Sequence, residues 1–320
     1  MDRFLSIEAF VRVAQTQSFA EAARQLRVSK SVVTTRVQQL EEMLGGSLLH
    51  RTTRAVRLSE TGQAFFRDCQ ELVNRTNEIV DQMREARGSP AGLLRVHALT
   101  GFVLGHLARQ LSEFQERYPE IQIDLFVSDA VIDPVKQGFD VALQIFPPAS
   151  EELVSRRLFP VRRVFCATPE YLKRHGTPKH PNDLYGHRLG LYSGYPTRDR
   201  WIFHPRDPHT QAALQIELKP ALMSNSVHLL REYACEQAGI VCLPTLVAGD
   251  SISRGELKVV LGDYALSSFW LSAVYPRALR GAYKLRLFIE GLAAAFSVGE
   301  PPWDRALIDK HLISPELLEG

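Results

Sequence analysis

Cysteine is scarce in this chain: Cys69, Cys166, Cys235 and Cys242 are the full complement among 320 residues, with no Cys-x-x-Cys pair and no zinc spacing. A disulfide-stapled scaffold and a zinc finger are thereby excluded, and reduced thiols inside a core are expected. A redox role for Cys235 and Cys242 is the alternative, but the first falls in a helical pattern and the second in an apolar strand, where Cys is ordinarily just buried. Long apolar runs are missing as well, and none approaches the roughly 18 residues that a bilayer span requires. Asp2, Arg3, Glu8 and Arg12 stand where an export signal would be apolar, so no signal peptide is expected and the cytoplasm is the expected compartment. Signatures of assembled chemistry are also absent: no GxGxxG, no P-loop, no HExxH, and Gly190-Leu-Tyr-Ser-Gly194 lacks nucleophile-elbow spacing. His175, His180 and His187 are too loosely spaced to hold a metal ion. The chain is expected not to be an enzyme and to need neither cofactor nor metal.

What is present is the composition of an ordinary soluble protein, 45% hydrophobic and 23% charged, long enough for two or three folding units. The clearest stretch runs from Ser29 to Leu44. Ser29 suits a helix N-cap, and Val33, Val37, Leu40 and Leu44 recur at four- and three-residue steps that place them on one helical face. The opposite face carries Ser31, Thr34, Thr35 and Gln38, and Glu41 and Glu42 come only at the far end. Upstream, Ser18-Phe-Ala-Glu21 has the form of a capping box opening a short helix to Leu26, with Ala22, Ala23 and Leu26 as its apolar stripe. Arg27-Val28 leaves room only for a tight turn. Phe4, Ile7, Phe10, Val11 and Ala14 supply a third helix. Two helices joined by a tight turn, the second free of acid at its start, make a helix-turn-helix that enters a DNA groove by its leading end.

Gly45-Gly46 can end the second helix in the left-handed region. The run Leu48 to Leu58 then carries Arg51, Arg54 and Arg57 with no acid, the pattern of a two-stranded wing whose arginines hold phosphates. Residues 1–58 contain nine Lys/Arg against five Asp/Glu, a net +4, which leaves −2 of the overall +2 for the remainder. Phosphate binding asks for that concentration of positive charge. The expected DNA-facing residues are Ser29, Lys30, Ser31, Val32, Thr34, Thr35 and Gln38 on the helix and Arg51, Thr52, Thr53, Arg54 and Arg57 on the wing.

Phe10-Val-Arg-Val-Ala14, Ser18-Phe-Ala-Glu-Ala-Ala-Arg24-Gln-Leu26, Val28-Ser-Lys-Ser31, Leu40-Glu41, Leu49-His-Arg51-Thr-Thr-Arg54 and Leu58-Ser-Glu-Thr-Gly62 together resemble the winged helix-turn-helix of LysR-type transcriptional regulators. The likeness is ungapped from about residue 1 to 62. It departs at Lys30, where family members often carry Gln, and at Thr35, where Arg or a similar residue is common, so an operator sequence does not carry over.

Residues 61–87 lack Pro and, after Gly62, Gly. Phe65, Leu72 and Ile79 recur every seven residues, interleaved with Cys69, Thr76 and Met83, and charged residues flank them. That seam predicts a helix that pairs with a second copy, with packing onto the chain's own wing as the alternative. The resemblance implies the same linker helix and the same use. Gly88-Ser-Pro-Ala-Gly92 is the expected hinge.

Beyond it, strand and helix patterns alternate twice, which predicts an α/β fold class with parallel sheets in two lobes, 93–162 with 267–296 and 163–266, joined by two crossings. Residues 104–114 are expected to form one continuous helix. Here the resemblance implies the effector-binding domain of LysR-type regulators, similar to periplasmic binding proteins, on landmarks such as Tyr118-Pro119, Gly138-Phe-Asp-Val-Ala142, Ser224-Asn-Ser226 and Gly239-Ile-Val-Cys-Leu-Pro244. Ligands of open α/β sheets sit at the carboxyl ends of strands. The candidate effector-binding residues are therefore Leu99, Thr100, Gly101 and Phe102 in one loop, Gln144 at a strand end, and Ser193 and Asn225 from the second lobe; Ser and Asn at helix starts are also ordinary caps. The layout expected is residues 1–62 as the DNA-binding unit, 63–87 as linker and dimerisation helix, 88–92 as hinge, the two lobes, and a tail 297–320 with no legible role. The expected partners are an operator duplex, a small-molecule effector and a second copy of the chain, as homodimer or homotetramer, and no membrane.

Overall fold

The computed structural model describes residues 2–51, 56–86, 90–195, 200–206, 212–296 and 299–313. Helices α1 (Arg3–Thr16), α2 (Phe19–Leu26) and α3 (Lys30–Leu44) precede a wing of β1 (Leu49–Arg51) and β2 (Val56–Leu58), paired antiparallel with Leu49 opposite Leu58. Phe10, Val13, Ala22, Val33, Val37 and Leu40 are fully buried together in one small core. Leu44, expected on the same face, is 43% exposed, because the helix runs past the end of that core. Gly45 ends α3 with φ +70, as expected.

Ser18 accepts from the Glu21 N–H, but the reciprocal half of the expected capping box does not form. Glu21 is taken instead by Arg24, at 2.7 and 2.9 Å, and by Gln25 at 2.7 Å. A guanidinium one turn along binds a carboxylate better than a neutral backbone amide does.

Helix α4 (Glu60–Ala86) splits the expected seam in two. Phe65 and Cys69 pack, with Val73, into the core of the winged unit, so the alternative of internal packing holds for that half. Leu72, Ile79 and Met83 are 48%, 51% and 58% exposed, and Val80 beside them is 44% exposed. Thr76 is half-buried and donates its hydroxyl to the Leu72 carbonyl of its own helix.

The first lobe is a sheet in the order β4 (Ile121–Val127), β3 (Gly92–Ala98), β5 (Val141–Gln144), β15 (Phe269–Pro276), β6 (Leu153–Val161). Around it lie α5 (Thr100–Phe102), α6 (Ala108–Arg117), α7 (Pro134–Gln137) and α11 (Tyr283–Phe296). The second lobe has β11 (Leu222–Ser224), β8 (Leu189–Tyr192), β12 (Ile240–Pro244), β7 (Arg163–Ala167) and β13 (Lys258–Val260). It carries α8 (Pro169–His175), α9 (Val227–Cys235) and α10 (Thr245–Ser253), and a small sheet of β9 (Arg200–Pro205), β10 (Leu214–Glu217) and β14 (Tyr264–Leu266). Neither main sheet is purely parallel, as the sequence had suggested. β3, β4 and β5 are parallel, as are β8, β11 and β12, but β6, β7, β13 and β15 run antiparallel to their neighbours. Strands β7 and β15 follow the two crossings, so each enters its sheet from the hinge end and runs against the βαβ strands, whereas β6 leaves lobe I toward the hinge and runs in the same direction as β5, with β15 between them.

The helix expected across 104–114 is broken. Gly105 stands at φ +101 and Leu104 is extended and 55% exposed, leaving α5 as one short turn that faces the second lobe. Helix α12 (Pro302–Asp309) lies in the tail. All four cysteines are unpaired thiols, three buried and Cys235 half-buried; no helix among the described residues is long and apolar enough to cross a membrane.

Gly62 shows how tightly the wing meets α4: a Cβ there would lie 2.0 Å from the Leu48 carbonyl oxygen. Gly62→Ala is expected to destabilise the winged unit by about 1–3 kcal/mol, as forced overpacking does, read as a lower urea midpoint. An unchanged midpoint would mean that the wing docks less closely than described.

Candidate functional site

Burial of Val33, Val37 and Leu40 turns the other face of α3 outward, and its first turn carries no acid. Ser29, Lys30, Ser31, Val32, Thr35 and Gln38 are exposed there, and Thr34 is half-buried. Ser29 caps the helix by accepting from the Val32 N–H and lies 2.8 Å from the Ser31 hydroxyl. Thr34 donates its hydroxyl to the Lys30 carbonyl at 2.9 Å, so it can only accept from a partner. Arg57 projects from β2 into solvent; Thr52, Thr53 and Arg54 lie outside the described residues, as does the side chain of Arg51.

Glu41, a residue the sequence reading placed at the far end of the helix without a task, holds the wing. Its Oε1 accepts from the N–H groups of Leu48 and Leu49 at 2.9 and 3.1 Å and from the Ser47 hydroxyl at 3.2 Å. Arg24 and Arg27, also overlooked, sit beside α3 on the edge of the first lobe. Arg24 lies 3.8 Å from Asp124, and Arg27 donates to Gln122. The Arg12 guanidinium is lodged near Arg95 and Asp140, where burial and the charge of Arg95 lower its pKa from the usual value. Gln70 of α4 donates to the Val135 carbonyl at 3.2 Å. The winged unit is thus held against lobe I through α1, α2 and α4.

Thr100 opens α5 at the carboxyl end of β3, beside the second lobe. Its N–H donates to Asp129 Oδ1 at 2.9 Å, and its backbone faces the His228 ring of the opposite lobe, whose protonated form it favours. Asp129 lies at the start of the loop after β4, half-buried, with burial raising its pKa and the Thr100 N–H and hydroxyl opposing that rise. Burial and the charge of Arg231 hold His228 below the ordinary imidazole value. Tyr192, at the end of β8, is pushed up to about 12 by burial and by the Asp129 carboxylate. Asp129, Thr100, His228 and Tyr192 therefore form a polar cluster shared by both lobes. Asp129 and Tyr192 follow the rule of strand carboxyl ends that picked out Thr100; His228 had no signal beyond its place in a helix's first turn.

Gly101 closes this contact: a Cβ there would lie 3.2 and 3.3 Å from Val227 and Val247 across the cleft. Leu99 and Phe102 belong to the core of lobe I instead; the Phe102 ring meets Phe159 tilted at 5.2 Å and Phe296 edge-on at 5.3 Å. Gln144 is fully buried, accepting from the Ile132 N–H at 3.1 Å and donating to the Ile132 carbonyl at 3.0 Å. A strand-end amide pointing inward satisfies backbone before it can meet a ligand. Ser193 is half-buried, its N–H bonded to the Ser224 carbonyl, and Asn225 is exposed. The cap of α9 is Ser226, which accepts from the Leu229 N–H, so Asn225 has no capping duty.

A winged helix-turn-helix and a two-lobed α/β receptor in one chain define a ligand-responsive transcription regulator. Comparison with known proteins narrows the class. Residues 4–63 match the family model "Bacterial regulatory helix-turn-helix protein, lysR family", and residues 87–297 match "LysR substrate binding domain". The HTH-type transcriptional regulator CrgA of Neisseria meningitidis serogroup C is 32% identical over 287 residues, 89% of this chain and 94% of the relative. An uncharacterised HTH-type transcriptional regulator of Haemophilus influenzae is 32% identical over 276 residues, 86% of this chain and 94% of that one. Among solved structures, that of CrgA from Neisseria meningitidis superposes with a TM-score of 0.58 at 30% identity, over 91% of this chain and 97% of its own. The chain belongs to the LysR family: it is a DNA-binding transcriptional regulator with an effector-binding domain, and not an enzyme.

Since Gln144 serves Ile132, Gln144→Leu is expected to destabilise lobe I by about 1–3 kcal/mol for each backbone group left unpaired, seen in chemical denaturation. A variant of wild-type stability would return Gln144 to the list of ligand contacts.

Proposed function

We propose that the leading turns of α3 read an operator in the major groove while the wing holds the flanking phosphates. The observation that carries this is the outward face of α3, where Lys30, Ser31, Thr35 and Gln38 stand exposed with no carboxylate in the first turn. Lys30, Thr35 and Gln38 meet base edges or adjacent phosphates, Ser31 and Thr34 accept or position, and Val32 is available to a thymine methyl. Arg57, with Arg51 and Arg54, neutralises backbone charge. The units expected from the sequence then take their roles: residues 1–62 bind the operator, 63–87 link and pair, 88–92 articulate, and the lobes 93–162 with 267–296 and 163–266 hold the effector between them in a cytoplasmic protein. Thr100, Ser193 and Asn225, joined by Asp129, Tyr192 and His228, face that effector.

The exposed outer half of α4 supports pairing with a second copy. Leu72, Ile79, Val80 and Met83 leave a stripe of apolar surface that an isolated helix would not keep in water, and two reading heads on one operator gain affinity from their linkage. A homodimer is the minimal unit, and a homotetramer doubles it.

Arg57→Ala should weaken specific and random DNA alike and lower the salt slope by about 0.9 for the lost phosphate contact, while Thr35→Ala should change base preference more than overall affinity. An unchanged slope in titrations from low to moderate salt would remove Arg57 from the interface. Ile79→Asp should shift the mass in analytical ultracentrifugation toward monomer, and an intact assembly would assign pairing to another surface.

A further inference from the structure

The match to the family's ligand-binding domain ends at residue 297, and the packing of the segment beyond it is that of a tie between the lobes. Trp303, at the start of α12, sits in the aromatic core of lobe I, its ring 4.3 Å from His106, 5.1 Å from Phe159 and 5.8 Å from Phe296. On its other side stands α10 of lobe II, where a Cβ at Gly249 would lie 3.3 Å from the Trp303 carbonyl oxygen. One turn on, Leu307 is buried in the second core of lobe II with Val247, Ala248 and Ile252, and Ile313 joins it. His106 makes a parallel link, its Nε2 2.7 Å from the Leu246 carbonyl.

Between these ends lies Asp304, fully buried. It accepts from Arg162 Nη1 at 2.7 Å, and Glu300 lies 2.7 Å from the same nitrogen. Arg162 is the residue between β6 and β7, the first crossing, and its carbonyl accepts the Thr245 N–H of α10 at 2.9 Å. The second crossing, 267–268, closes the same hinge.

We propose that residues 300–313 are a strap that sets the angle between the lobes, with Trp303 as the wedge and the Asp304–Arg162 pair as the catch. Two extended crossings alone would let the lobes rotate freely about the hinge. With the strap in place, any rotation that parts Asp304 from Arg162 leaves a buried charge without its counterion. The lobes are held near one angle until a ligand's own contacts with both of them override the catch, so the tail fixes how much binding energy the cleft must supply before its geometry changes.

A helix that merely completed one core would behave differently, and hydrogen exchange on the full-length protein separates the two roles. Asp304→Asn keeps the shape and removes the charge; Trp303→Phe keeps an aromatic wedge and guards against a Trp303→Ala variant that fails to fold. In Asp304→Asn and Trp303→Ala, exchange at the Thr245 amide and at the Val161–Phe269 pair beside the hinge should quicken about tenfold through local opening. The interior amides of β3 and β8 should keep their wild-type rates, and Trp303→Phe should stay close to wild type at the hinge. Quickening spread evenly through either lobe, or none at the hinge, would overturn the strap.

Discussion

Three aliphatic side chains decide the orientation on which everything else rests. Val33, Val37 and Leu40 are wholly buried against α1 and α2, each contributing on the order of 1.5–3 kcal/mol by leaving water, so α3 cannot turn without forfeiting most of a small core. That rotation fixes which residues face outward. The outward face is one a polyanion tolerates, because the acids of α3 fall near its C-terminal end and Glu41 is already occupied by the backbone of the wing. One carboxylate that might have repelled DNA is what sets the wing's position.

The same logic of prior engagement runs through the rest of the chain. Arg24 and Arg27 flank α3 but rest on Asp124 and Gln122 of lobe I, and Gln70 ties α4 to the same lobe. The DNA-binding unit and the receptor are therefore in direct contact within one chain, through a polar surface that can exchange partners more readily than a dry core. Thr100 and Asp129 repeat the pattern within lobe I, with the His228 ring of the opposite wall beside them.

The sequence made the N-terminal unit legible because its signals are local: caps, a 3.6-residue period and a run of arginines lie within sixty positions. The effector domain was legible as alternating strand and helix. What it could not show is how distant residues choose partners. A heptad stripe states that a face is apolar, not what covers it, and the helix buries Phe65 and Cys69 in its own wing while leaving Ile79 bare. Gln144 looked like a ligand contact because strand ends often are, yet a carbonyl and an N–H of Ile132 claimed it first. Leu104 fits a helical period, and only Gly105 beside it, at a positive φ, tells that the helix breaks. Asp129 and His228 meet Thr100 across 29 and 128 positions of chain, and Trp303 finds its place through aromatic rings scattered from His106 to Phe296. No periodicity records such meetings.

The central claim is that α3 reads the major groove. Guanine N7 lies in that groove and adenine N3 in the minor groove, so dimethyl sulfate footprinting of a bound genomic fragment tests it directly. The account predicts protection of guanine N7 in two half-sites spaced by about one helical turn or a multiple of it. Protection confined to adenine N3, or retention of the fragment with every N7 still reactive, would contradict it.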